Sequence, residues 1–265
     1  MLFRLISFRL VSFIFVISWS CMVFAKNEIK DISSVSELPM AKSTIQDLWV
    51  FDLDNTIFKT AQTLGSDQWF RGYWKNLKNK GLNESEIISN LVPLYNKIQH
   101  VTDVVLVEKE IAKIIRDLRK NNIKVIALTS RGYEVVSATN RHLNDVGISF
   151  DERNDSRYMH EVLGEHVLYN KGIIFANGRD KGKCLEFFLN KKNIKPKRII
   201  FVDDHLKNVE SISKITMEME YDFEGYRYGY LDNEVADLDM SIATEQLSSI
   251  KIPSDNDVKK KQVKH

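Results

Sequence analysis

The chain predicts an α/β fold of three layers, Rossmann-like in plan, with helices on both faces of a parallel sheet, and three observations carry that reading. Leu48-Trp49-Val50-Phe51, Ile123 to Leu128 and Ile199 to Val202 are short apolar runs of the kind buried on both faces, and each stops at acids or hydroxyls. Strand-like and helix-like segments alternate after the first run, which is the rhythm of parallel crossovers. The interval from Thr56 to Ile123 is too long for one crossover helix, so a small helical insertion is expected there. In open parallel sheets, ligands bind where the strands end, and these three ends are the polar ones.

From the N-terminus, residues 1–25 read as a cleavable export signal. They hold Arg4 and Arg9 and no acids, an apolar stretch from Leu10 to Ala25 broken by serines, and Val23-Phe24-Ala25 at a suitable cleavage point. That stretch is shorter than a comfortable bilayer span, so no stable membrane span is expected once it is removed. Residues 26–45 are polar and mixed, predicting a flexible segment. Residues 253–265, with Lys259-Lys260-Lys261, predict a disordered basic tail. The body, 46–252, then forms one core with a cap at about 60–105.

Within the body, Ser66 to Lys80 carries Trp69, Phe70, Tyr73 and Trp74 at helical spacing, with Gly81 placed to end the helix. Glu84 to Gln99 predicts a second helix, kinked or divided at Pro93. Glu108 to Lys120 is the crossover into the strand 123–128, and Val135 to Val146 is a further helix. His166 to Ala176 suggests a hairpin turning at Asn170-Lys171-Gly172, offering a second flap. Lys181 to Leu189 leads into strand Arg198 to Val202, and Leu206 to Ile215 into a strand over Met217 to Tyr221. The aromatic stretch Glu224 to Tyr230 reads as a surface loop. Asn83-Glu84-Ser85 and Asn154-Asp155-Ser156 match glycan acceptors by pattern alone.

The chemistry sits at the strand ends. Side chains at i and i+2 point the same way on a regular strand, so Asp52 and Asp54 can converge on one ligand. One carboxylate can attack while the other handles protons. A phosphoryl group spreads negative charge over several oxygens, so an attacking carboxylate needs a divalent cation and donors beside it. Asp203 and Asp204 offer hard oxygens suited to Mg²⁺, Thr129 and Ser130 offer hydroxyls, and Arg179, Lys181 and Lys183 offer cations.

Taken in order from Leu48 to Asn208, these motifs resemble the four of the haloacid dehalogenase (HAD) superfamily. The resemblance implies that Asp52 is a nucleophile forming an aspartyl-phosphate and that Asp54 is the general acid and base. It implies that Thr129 holds a phosphoryl oxygen, and that Lys181, in the pair Lys181-Gly182, neutralises charge. Mg²⁺ would then lie on Asp52, Asp203 with Asp204 beside it, and the backbone carbonyl of Asp54. Gly65 to Phe70 narrows the likeness to the domain-of-unknown-function 2608 family of exported HAD-like proteins, with a looser likeness to periplasmic acid phosphatases. Asn55 is expected to shape the turn after the acids, Ser130 to meet substrate, Arg131 to meet substrate or cap the loop, and Trp69 to sit on a substrate lid. His205 is expected to be a loop residue.

Composition narrows the partners. The 265 residues carry 38 basic and 36 acidic side chains, and loss of Arg4 and Arg9 would leave a formally neutral chain. Without a basic stripe there is no expectation of nucleic acid binding. Cys184 alone cannot form an internal disulfide after loss of Cys21, and is expected to be a small buried helix residue. The expectation is therefore an exported, Mg²⁺-dependent hydrolase of phosphomonoesters. The alternatives are a phosphotransferase or mutase using the same intermediate, and a non-catalytic binding protein of the same fold.

Overall fold

The computed structural model describes residues 26–151 and 157–249. The expected export signal at 1–25, Cys21, the glycan pattern at Asn154 and the tail at 253–265 lie outside the described residues. In chain order the elements are β1 (Asn27–Ile32), β2 (Asp47–Phe51), β3 (Phe58–Thr60), α1 (Asp67–Asn79), α2 (Glu84–Gln99), β4 (Val104–Leu106), α3 (Glu110–Lys120), β5 (Lys124–Thr129), α4 (Val136–Asp145), β6 (Tyr158–Val162), β7 (Glu165–Asn170), β8 (Ile173–Phe175), α5 (Lys181–Lys192), β9 (Arg198–Asp203), α6 (Leu206–Glu218), β10 (Asp222–Tyr228), α7 (Asp232–Ala236) and α8 (Met240–Ser249). Among them no helix is long and apolar enough to cross a membrane.

One eight-stranded sheet runs in the order β1-β10-β9-β2-β5-β8-β7-β6. Its pairings are parallel from β1 to β8, and β7 and β6 add an antiparallel edge. Alternation along β2 explains the layering. Trp49 and Phe51 join Val125, Ala127, Ile200 and Val202 on one face, under Ile111, Ile115 and Leu118 of α3. Leu48 and Val50 join Ile126, Leu128, Ile199 and Phe201 on the other, under Leu185 and Phe188 of α5 and Val209 and Ile212 of α6. Each valine, leucine, isoleucine or phenylalanine among them, fully buried, contributes about 1.5–3 kcal/mol of transfer free energy. The three-layered α/β expectation is therefore met.

The insertion leaves the core through the two-stranded ribbon of β3 and β4. Helices α1 and α2 pack around Leu64, Trp69, Ile87, Leu91 and Ile98, a small core separate from the main two, closed by Ala243 of α8. The Ser66 side chain caps α1 by accepting from the Trp69 amide at 3.1 Å. Asn83 and Glu86 form a capping box on α2, so Asn83 has a structural role in its side-chain amide. Pro93 does not divide α2. Pro93 and Ser89, whose carbonyl loses its partner, are both exposed, so that carbonyl is open to solvent.

Four further expectations are corrected. The segment expected to be flexible, 26–45, supplies β1, which pairs with β10 along its length, and Val35 and Leu38 are buried in the core. The stretch Glu224 to Tyr230, expected as a loop, is mostly β10; the helix before it runs on to Glu218, through Ile215 and Thr216, both buried, so no strand forms at 217–221. The hairpin of β7 and β8 is no flap, because Leu168 and Phe175 face one core and Tyr169 and Ile174 the other. Its turn does require glycine: Gly172 has φ +75°, and a Cβ there would come within 2.2 Å of the Phe150 carbonyl oxygen.

Candidate active site

The register of three central strands sets the site. Phe51 lies opposite Ala127 of β5 and Val202 of β9, so the residues just beyond it, Asp52, Thr129 and Asp203, emerge at the same carboxyl edge. The Asp52 amide still donates to the Val202 carbonyl at 2.9 Å. Then the backbone leaves the sheet. The Leu53 carbonyl accepts from the amides of Ile57 and Phe58, and Asn55 takes φ +59°, as expected of the residue that makes the turn.

That turn separates the two acids. Asp52 and Asp54 do not share partners as a regular strand would dictate, although Asp54 is close enough for its charge to bear on Asp52. Asp52 Oδ1 accepts from Lys181 Nζ at 2.5 Å, and the same ammonium donates to Asp203 Oδ2 at 2.7 Å. Lys181 is the first residue of α5 and wholly buried. The glycine after it lets α5 lie against α6, since a Cβ on Gly182 would approach the Ser211 carbonyl oxygen to 2.5 Å. Of the three cations considered, only Lys181 reaches the acids; Lys183 pairs with Glu186 at 2.9 Å, and Arg179 lies 4.0 Å from Glu165.

Asp203 is fixed on every side. The His205 amide donates to its Oδ1 at 2.8 Å, and Asn208 Nδ2 lies 3.0 Å from both of its oxygens. Carboxylate oxygens of Asp52, Asp203 and Asp204 all fall within 4.8 Å of one another. Three acids thus face one ammonium. Burial pushes the Asp52 carboxyl up to about 8, against the pull of Lys181 and with the push of Asp203 and Asp54. Burial likewise pushes Asp204 up to about 9, reinforced by Asp52 and Asp203. Burial opposes the charge on Lys181, yet Asp203 and Asp52 outweigh it and hold its pKa above the ordinary lysine value.

This donor set fits a hard divalent cation. The surplus carboxylates are convergent, and the Asp54 main-chain carbonyl accepts no hydrogen bond among the described residues. A second group, Asp67, Asp204 and His205, adjoins it where α1 crosses the sheet edge. His205 Nε2 is 3.4 Å from Asp67 and 3.3 Å from Asp204, and Arg71 binds Asp67 at 2.7 Å. Burial works against the Asp67 charge, but His205 and Arg71 outweigh it and lower its pKa.

Asp54 lies in a different environment. Arg131 grips it with Nε on Oδ2 and Nη2 on Oδ1, both at 2.7 Å. The guanidinium also donates to Thr139 Oγ1 at 3.1 Å, to Gln99 Oε1 at 3.0 Å and to His142 Nδ1 at 3.1 Å, and it stacks 5.0 Å from the Phe58 ring centre. His142 Nε2 donates to the Thr102 carbonyl at 3.0 Å. Burial, with the Arg131 charge, lowers the His142 imidazole to about 4, so it is neutral and accepts from Arg131.

Two residues expected to meet substrate are placed elsewhere. Arg131 is buried and turned onto Asp54, because the loop after β5 bends back, its amide donating to Thr129 Oγ1 at 3.1 Å. Trp69 is 2% exposed and packed against Tyr73 in the cap core, so its ring is not on a lid surface. Ser130 is exposed at the site's edge, and its carbonyl accepts from Gly178. Cys184 is buried in α5, and burial raises its thiol to about 12. Sequence reasoning missed Asn208, Gln99 and His142. Asn208 sits one turn into the helix after the acidic strand end, a readable signal; Gln99 and His142 gain meaning only through the fold.

Fold and site together define an α/β protein that gathers buried carboxylates and a lysine at the carboxyl edge of a parallel sheet, beneath a small helical cap. The profile of the family described as "Protein of unknown function (DUF2608)" matches residues 27–254, and the chain belongs to that family. It is similar to "Putative outer membrane protein" of Chlamydia muridarum, 23% identical over 82% of this chain and 84% of that one, and to the protein so described in Chlamydia trachomatis, 25% identical over 68% and 67%. Among solved structures, a class C acid phosphatase from Bacillus anthracis with tungstate bound aligns over 81% of this chain and 83% of that chain, at 12% identity and a TM-score of 0.35.

Proposed function

We propose that this chain is an exported phosphomonoester phosphatase of HAD type that works through an aspartyl-phosphate at Asp52. The observation that carries this reading is the buried Lys181 ammonium bridging Asp52 and Asp203, with Asp204 within reach of both. A nucleophilic carboxylate needs a cation to hold it near a phosphoryl group, and this is such an arrangement. Asp52 Oδ attacks phosphorus, the ester P–O bond breaks, and the departing oxygen takes a proton from Asp54. Water then attacks the aspartyl-phosphate, its proton passes to Asp54, and the bond to Asp52 breaks to release inorganic phosphate. Thr129 and Lys181 offer donors to the phosphoryl oxygens.

Asp52, Asp203, Asp204 and the Asp54 carbonyl would hold Mg²⁺, which when bound offsets the charge crowded between carboxylates and phosphoryl oxygens. An exported setting agrees with the leader-like N-terminus and with the description of the chlamydial relatives. Hydrolysis of an aryl phosphate is the test. Turnover that needs Mg²⁺ and vanishes in Asp52→Asn supports the reading, and turnover unchanged in Asp52→Asn ends it.

A further inference from the structure

We infer that Arg131 is a positioning residue that fixes the Asp54 carboxylate and ties its orientation to the cap, an assignment that rests on the phosphatase reading. Asp54 stands on a turn outside the sheet, at a residue 18% exposed in its side chain, so nothing in the strand ladder orients it. The Arg131 fork supplies the orientation with two bonds of 2.7 Å. Each remaining guanidinium contact goes to a buried neutral group: Thr139, His142 and Gln99. Among the described residues no second carboxylate bonds to the fork, so its charge is committed to Asp54.

Gln99 makes the pair part of the cap. It is the last residue of α2 and fully buried. Its Oε1 accepts from Arg131, while its Nε2 donates to the Gly65 carbonyl at 2.7 Å, just before α1. One side chain therefore clasps the entry and the exit of the cap and hands that position to Arg131. The clasp is extended by Arg141, whose Nη2 donates to the Thr102 and Gln99 carbonyls at 2.7 and 3.2 Å. Gly65 lies close against the end of α2, since a Cβ there would meet the Ile98 side chain at 2.7 Å. A cap that shifts relative to the sheet must move Gln99, and Arg131 with Asp54 follows.

A double-mutant cycle on the Mg²⁺-loaded full chain tests this. Arg131→Lys keeps the charge but not the fork, and is expected to lower kcat on p-nitrophenyl phosphate about 100-fold with little change in KM. Its affinity for tungstate, a phosphoryl stand-in, is expected to stay within about threefold, because the bonds of the Arg131 guanidinium go to Asp54, Thr139, His142 and Gln99. In an Asp54→Asn background the same substitution is expected to cost almost nothing further. Gln99→Leu, which leaves the Arg131–Asp54 pair intact, is expected to show the same pattern at about tenfold and serves if Arg131→Lys does not fold. A raised KM with weakened tungstate binding would make Arg131 a substrate ligand and overturn the assignment, as would additive losses in the double mutant. An Asp54→Asn enzyme with full kcat removes the functional reading of Asp54 itself, and the assignment with it.

Discussion

Two carboxylates two residues apart are held in opposite ways. Asp52 shares a lysine ammonium with Asp203, and Asp204 stands beside them with no ammonium among the described residues, so this side of the site crowds three carboxyl groups against one cation. Asp54 has a guanidinium to itself, and every contact around that guanidinium is satisfied within the protein. The first environment has carboxyl oxygens that could hold a cation, and the second is closed. Breaking a buried pair costs far more than the pair itself contributes, so the two sides respond differently to losing a charge.

The largest effect expected is on chemistry. Asp52→Asn preserves shape and removes the proposed nucleophile, and kcat should fall by about 10⁴-fold or more. Asp54→Asn should cost about 10²–10⁴-fold in kcat while Mg²⁺ affinity, measured by calorimetry, stays near that of the unaltered protein. An Asp54→Asn variant that loses Mg²⁺ as fully as Asp203→Asn does would erase the distinction between the two environments.

Next comes stability. Lys181→Met leaves buried carboxylates without their ammonium, and urea unfolding without divalent ions should show a loss of about 3–5 kcal/mol. Mg²⁺ should restore much of it, because the ion answers the same charge. A loss that Mg²⁺ leaves untouched would mean the cluster is not a cation site.

The smallest effects are in pH, and they run in opposite senses on the two sides. Burial and neighbouring acids raise Asp52 to about 8 and Asp204 to about 9, well above the unfolded carboxylate, so the stability linked to them is present below about 4 and is lost as pH rises through that range. The rise in Tm produced by Mg²⁺ should therefore be larger at pH 8 than at pH 5. His142 is depressed to about 4, so its contribution is present above the usual histidine range and is lost as pH falls toward 4. His142→Gln should flatten that acid limb, at most by about 1.4 kcal/mol per pH unit.

The same contrast explains what could be read before folding. Asp52, Thr129, Lys181 and Asp203 were legible because each marks the end of an apolar strand or the start of the helix between two, and strand ends in parallel sheets converge. Both cap helices were legible from aromatic and aliphatic spacing. The closed network was not, since Gln99, Thr139 and His142 are ordinary polar residues on helices until the fold buries them around Arg131. Trp69 misled for a related reason: an aromatic stripe looks the same whether it covers substrate or fills a small core. The polar stretch at 27–32 hid an edge strand, because an edge strand buries little and needs no apolar run.

The most direct test is to find where the phosphoryl group goes. Acid quenching during turnover, followed by borohydride reduction and peptide mass spectrometry, converts an aspartyl-phosphate to homoserine at the residue that carried it. Homoserine at Asp52, absent when substrate is withheld, is the expected result. Steady turnover with Asp52 unmodified, or the label on another residue, would contradict the account.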